Sequence, residues 1–299
     1  MRVLNISSVD YANMAHENAN ALRAVGVDCD DFTNSSHVFQ YKSASTRVDI
    51  SYIKEHYKEY DVIQLFHSCP VLYTIVYDHD NVIVYHTGTR YRQDKQRYDK
   101  LFQGRDIFTD QCEFLLHNES FKYIAPHVTL TRKIKPLGSK LRIAHYPSNY
   151  ISKGTKDIQL MLRQFNEVFN IDINTNKEPH DINLRRIAQC DIYIELFKPD
   201  QDGKPYGCFG VTAFEATALG CLVITNNVNR KAYEDVYGSH SFLIPNTKQE
   251  FVNMIASLAE QRDKFEYIRD TMHTGFMDKH GIIPTGNRIK QLINESIQR

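Results

Sequence analysis

The 299-residue chain has no surplus of either charge, with 36 Lys and Arg against 36 Asp and Glu. No global field therefore draws it to nucleic acid or an anionic membrane, and any anionic ligand must be held by a local site. It has no C-x-x-C. Cys29, Cys69, Cys112, Cys190, Cys208 and Cys221 are scattered, without the spacing of a zinc site or a disulfide framework, which points to a reducing cytoplasm. No apolar run approaches the roughly 18 residues of a membrane span, and Arg2-Val-Leu-Asn-Ile6 reads as a strand rather than a signal peptide, so a soluble protein is expected. No G-x-G-x-x-G follows that strand, which argues against a dehydrogenase.

What is present is an alternation of short β-branched apolar runs with segments of helical period, the pattern of an α/β chain with parallel sheets. The length suits two domains of roughly 130 to 150 residues each. Strands are expected at 3–6, 61–66, 81–85 and 107–109, and again at 141–144, 191–196, 222–225 and 242–244. Helices are expected at 13–25, where Gly26 stands at the stop, at 93–102 and at 156–169, and a last one after Pro284 docks on a neighbouring surface. The basic stretch 131–140, with Pro136 and Gly138, reads as a linker. The boundaries are then 1–135, 140–283 and a terminal helix 284–299.

Two segments carry the chemistry. In Cys208-Phe-Gly-Val-Thr-Ala-Phe-Glu-Ala-Thr-Ala-Leu-Gly220 a glycine turn enters a helix whose first N–H groups, around Gly210, Val211 and Thr212, suit an anion such as a diphosphate. Glu215, one turn in, has two readings. It is either a carboxylate for a ribose hydroxyl pair or the far member of a Thr212…Glu215 capping box. In Leu141-Arg-Ile-Ala-His-Tyr-Pro-Ser-Asn-Tyr-Ile-Ser-Lys-Gly-Thr155 a strand and polar loop lead to Lys153-Gly154-Thr155 at a helix start. Lys153 is either a phosphate contact, with Gly154 allowing close backbone approach and Thr155 a cap, or a solvated lysine at a turn. The expected strands ending at His67 and His86 put both histidines where open α/β sheets bind ligands.

Order and spacing resemble the donor domain of retaining GT-B glycosyltransferases, family four in particular. Lys153-Gly154-Thr155 is similar to its "KGT", and Phe209-Gly210 through Glu215-Ala-Thr-Ala-Leu-Gly220 to its "FG" and "EA-x-A-x-G". Ala188-Gln-Cys-Asp-Ile-Tyr-Ile194, Ala144-His-Tyr-Pro-Ser148, Asp61-Val-Ile-Gln-Leu-Phe-His67 and Val84-Tyr-His-Thr-Gly88 resemble further family segments. The resemblance implies two Rossmann-like domains facing a cleft, with the C-terminal helix packing back toward the N-terminal domain. It implies a nucleoside-diphosphate sugar as co-substrate and no other cofactor. Lys153 would hold the diphosphate and Glu215 the ribose, with His145, Asn149, Gly154, Phe209, Gly210, Val211 and Thr212 around the donor. His86 would meet the transferred sugar, or else is a strand-end histidine satisfied by its loop. Asn13, His67 and Arg90 fall on the acceptor or phosphate side.

The pattern also breaks. The family carries two glutamates with seven residues between them, and Gly207 stands at the first position. The glycine turn after the first strand is replaced by Ser7-Ser-Val-Asp-Tyr-Ala-Asn13. The triplets Asp28-Cys-Asp30, Asp78-His-Asp80 and Asp200-Gln-Asp202 read as turns, and two sheets with positive groups already placed for the diphosphate lead to an expectation of metal-independent chemistry. The acceptor is open among a glycan, a lipid-linked sugar, a protein or a nucleic-acid base, the last disfavoured by neutral charge. A catalytically weak nucleotide-sugar binder and an epimerase are the rival readings.

Overall fold

The computed structural model describes residues 1–130, 135–198, 200–201 and 203–298. The first part of the expected linker, 131–134, and Asp202 of the third Asp-x-Asp triplet lie outside the described residues. The chain forms two compact units, Met1–Thr129 with His280–Arg299, and Leu130–Lys279.

The first unit opens with β1 (Arg2–Val9), α1 (Met14–Ala24), β2 (Asp28–Ser35), β3 (Thr46–Arg47) and α2 (Ile50–His56). It continues with β4 (Val62–Leu65), α3 (Pro70–Val76), β5 (Val82–His86), α4 (Gly88–Gln93), α5 (Lys95–Leu101), β6 (Asp106–Thr109), α6 (Cys112–Leu115) and β7 (Lys122–Tyr123). The seven strands pair in parallel in the order β3-β2-β1-β4-β5-β6-β7. Strands covered on both faces are mostly apolar, so Leu4, Ile6, Ile63, Leu65 and Val84 form the core with Leu72 and Tyr91 from the helices and Phe102 at the end of α5, while Asn5 and Gln64 are buried polar exceptions.

The second unit has β8 (Arg142–His145), α7 (Thr155–Leu162), β9 (Asn170–Ile173), α8 (His180–Ile187) and β10 (Ile192–Ile194). A short ribbon of β11 (Asp200–Gln201) and β12 (Lys204–Pro205) precedes α9 (Val211–Ala218) and β13 (Leu222–Ile224). Then come α10 (Arg230–Tyr237), α11 (Lys248–Glu260) and α12 (Arg262–His280). Its parallel sheet runs β13-β10-β8-β9, around a core of Ile143, Ile192, Ile194, Leu222 and Ile224.

The α/β class and parallel sheets are as expected, with local differences. The acidic run Asp28 to Asp31 is strand β2, not a turn, because pairing with β1 sets Cys29 and Phe32 in the core while Asp30 meets Arg2 and Tyr60. The expected helix 93–102 is α5, which starts later because the Asp94 side chain caps it, and the separate α4 precedes it. The expected helix 156–169 is α7 plus a 3₁₀ turn. The expected strand 242–244 is a single bridge from Leu243 to Ile224.

The last helix, α13 (Ile282–Ile297), begins two residues before Pro284, which sits in the first turn where its missing N–H is not needed. It packs on α1. Gly286 is the contact point: a Cβ there would overlap the Ala21 carbonyl oxygen and crowd Val25. A glycine inside a helix ordinarily costs about 0.5–1 kcal/mol, and here it permits close backbone approach. Gly286→Ala should therefore destabilise the protein by about 1–3 kcal/mol, read as a lower denaturant midpoint. An unchanged midpoint would show that the two helices are not held at this distance.

Candidate functional site

In an open α/β sheet, neighbouring strands whose crossovers leave on opposite faces part their helices at the C-terminal ends, and a crevice opens there. Strand order puts that point between β8 and β10 in the second unit, and between β1 and β4 in the first.

At the first of these points the loop after β8 delivers Lys153, and the residue directly after β10 is Glu195. Lys153 Nζ forms an ion pair with Glu195 Oε1, and Thr225, just past β13, donates its hydroxyl to Glu195 Oε2 at 2.8 Å. Glu195 is buried. Burial works against the Lys153 ammonium, but the Glu195 carboxylate outweighs it and holds the amine's pKa above the ordinary lysine value. The pair stands on the amino end of α9: a Cβ at Gly210 would lie 2.6 Å from Glu195 Oε1 and 3.4 Å from Lys153 Nζ. Lys153 and the glycine turn, 57 residues apart in sequence, thus meet at one place. Glu195 is the residue that motif reading passed over, although a charged side chain directly after an apolar strand is a signal in itself.

Gly210 is the N-cap of α9 and Val211 its first residue, which puts Glu215 at the fifth helical position rather than the third. The capping-box reading is excluded. Instead Glu215 Oε1 is bonded to His180 Nε2 at 2.6 Å, with His180 the first residue of α8. Five residues of helical rise separate Glu215 from the Lys153 end by roughly 7 to 8 Å along the axis. Val211 and Thr212 form the half-buried first turn between them.

Other expected donor residues have internal tasks. His145 is fully buried, with Nδ1 on the Ile194 carbonyl at 2.7 Å and Nε2 on the Thr155 hydroxyl at 2.8 Å, and burial pushes its pKa down to about 4. It ties β8, β10 and α7 together and is not open to a ligand. Thr155 is accordingly the first residue of α7, and Gly154 is its N-cap, in a left-handed conformation (φ 73°) pressed on the Phe197 carbonyl, so the close approach it allows is to protein. Asn149 turns its side-chain oxygen to the N–H groups of Ile151 and Ser152 and shapes the lysine loop. Phe209 is buried against Tyr233 and Phe242 and is core. Gly207 has φ 125°, and a Cβ there would strike Asn226, so the fold leaves no room for the missing glutamate.

In the first unit, Asp10 to Asn13 follow β1 and Phe66 to Ser68 follow β4. Ala12, Asn13, His67 and Ser68 all have φ between 50° and 61°, so non-glycine residues adopt the left-handed geometry for which glycine was expected. His67 accepts from the Tyr11 N–H at 3.0 Å and meets the Thr87 hydroxyl at 2.5 Å, while Arg90 donates to the His67 carbonyl at 3.1 Å. The amino end of α1 is already taken, since the Asp10 carboxylate accepts from the N–H groups of Ala15 and His16. Asn13 donates its amide to the Ser43 carbonyl, so the expected phosphate contact here is replaced by an internal carboxylate.

His86 is corrected as a sugar contact. Its ring is fully buried, stacked on Tyr91 at 4.2 Å and flanked by Phe102 and Phe121, with Nδ1 on the Ser68 hydroxyl. Burial pushes its pKa down to about 3, so it stays neutral. Not foreseen was Asp110, after β6, a buried carboxyl pushed up to about 6 by desolvation and only partly offset by the Gln111 amide and by His67 and Arg92. An acid with a raised folded pKa loses stability as pH climbs from about 4 to 6, by up to roughly 3 kcal/mol here. Asp110→Asn should melt higher than the native protein above pH 6 and lose that advantage below pH 4. A variant less stable at pH 8 would show the carboxylate to be needed.

The two parallel sheets with their strand-end sites constitute the GT-B fold. Over 99% of this chain and 100% of the other, the structure is similar to HepE of Anabaena in complex with UDP-glucose, with a TM-score of 0.69 at 10% identity. Sucrose-phosphate synthase of Thermosynechococcus elongatus (TM-score 0.63, 12% identity, 99% and 98% covered) and a glycosyltransferase of Rickettsia africae (0.63, 13%, 100% and 99%) are also similar. No family model matches the chain, and no curated protein matches it in sequence.

Proposed function

We propose that the chain is a glycosyltransferase, taking a sugar from a nucleoside-diphosphate sugar held by the second unit. The observation that carries this reading is the meeting of Lys153 with the Gly210 end of α9 at the β8/β10 crevice, with Glu215 one turn deeper. A helix amino end and an ammonium suit a diphosphate, and a carboxylate behind them suits a ribose hydroxyl pair. That HepE was crystallised with UDP-glucose on the same fold supports the donor class. The fixed positive groups would stabilise charge developing on the departing nucleotide, which is the electrostatic part of catalysis.

Within this reading the transfer is metal-independent and retains configuration, by a front-face route that needs no protein nucleophile. The acceptor would be bound by the first unit, at His67 and Arg90. The setting is a reducing cytoplasm; among the described residues no helix is long and apolar enough to cross a membrane.

A thermal-shift screen against nucleoside diphosphates and their sugars, followed by isotopic hydrolysis or transfer, tests the proposal. A raised melting point with sugar release is expected. Binding without turnover across donors and acceptors would make the chain a nucleotide-sugar binder, and an isomerised donor formed without acceptor would make it an epimerase. Glu215→Gln should weaken binding of the donor found by the screen about tenfold or more. Unchanged binding with reduced thermal stability would remove Glu215 from the site.

A further inference from the structure

Glu195 is an acidic group beside the Lys153 and Gly210 seat, and a diphosphate has no use for it. Its carboxylate is buried, one oxygen is on Lys153 and the other on Thr225, and Gly210 closes over it at the amino end of α9. Of the two features that attract an anion here, the ammonium already holds one that belongs to the protein, and the helix end has that carboxylate beside it. Resting on the nucleotide-sugar reading, we propose that Glu195 is a resident placeholder for the donor diphosphate, which surrenders Lys153 to the incoming phosphates and reclaims it as the nucleotide leaves.

The physical case is electrostatic. With Glu195 ionised, the pair is neutral before ligand arrives, so the diphosphate meets a helix end and an ammonium whose charge is already matched. It must also accept a like charge a few ångströms away in a partly buried setting, where such interactions are poorly screened. Affinity for the free nucleotide is thereby lowered, and its release is assisted because Lys153 has a partner to return to. A lysine left alone in this pocket would hold the leaving nucleotide more tightly. Asp10 in the first unit has a different situation: its carboxylate accepts two helix N–H groups and the Ser45 hydroxyl without a lysine between them, so it is a fixed cap and not an exchangeable partner.

The experiment compares the native protein with Glu195→Gln, which keeps the side-chain shape and one acceptor oxygen, turns the other into an amide donor and loses the charge. Binding of UDP and of inorganic pyrophosphate is measured by calorimetry at two salt concentrations, and UDP dissociation by stopped flow. Glu195→Gln should bind both probes about tenfold more tightly, release UDP more slowly and show a steeper loss of affinity with salt. Glu195→Ala, checked for folding by circular dichroism, should shift in the same direction. Equal or weaker binding of pyrophosphate and UDP by Glu195→Gln would overturn the placeholder and make Glu195 a group that merely orients Lys153. If both proteins bind pyrophosphate with the expected difference but neither binds UDP or another nucleoside diphosphate, the placeholder stands and the nucleotide-sugar reading fails.

Discussion

The ion pair between Lys153 and Glu195 is the interaction on which the second unit's site depends. Three strands end within reach of it: β8 through the lysine loop, β10 through Glu195 itself, and β13 through Thr225. A buried carboxylate tolerates its surroundings only when each oxygen has a partner, and a partly buried ammonium only when a negative charge is near. Each of these groups therefore holds the other in place, and the pair holds the loop that carries Gly154 against Phe197.

Both units solve one problem in the same way. Parallel sheets leave helix amino ends unsatisfied at the crevice where strand order reverses, and in each unit an internal carboxylate stands at that end. In the first, Asp10 bonds the N–H groups directly and the turn is built from left-handed Ala12 and Asn13, strained for side chains other than glycine. In the second, Glu195 lies beside the helix end with Lys153 between it and solvent. The difference separates a closed cap from a seat that an outside anion can share.

The first unit also shows how a buried polar layer can specify packing. Asn5, Gln64, Asn18 and Tyr85 bond one another beneath α1, with distances from 2.7 to 3.1 Å, so α1 can sit on β1, β4 and β5 in one register only. Toward its carboxyl end α1 also receives Gly286 of α13, at Ala21 and Val25.

Much of this was legible in the residues. Apolar β-branched runs announce parallel strands whatever their partners, because burial on both faces demands them. The Phe209-Gly210…Glu215 and Lys153-Gly154 segments announce a helix end and a cation at strand ends. Strand β2 was hidden, since Asp28-Cys-Asp-Asp31 looks like a turn until β1 and Arg2 supply its partners. The roles of His86, His145 and Phe209 were equally hidden, because a ring at a strand end faces ligand or core according to which helices cover it, and those helices are distant in sequence. The order of elements and the chemistry available to the site were thus determined by the sequence alone. Which carboxylate met Lys153, that Glu215 pairs with His180 rather than capping its helix, and why no side chain fits at 207 were decided only by tertiary packing, because each depends on atoms brought together from strands and helices far apart along the chain.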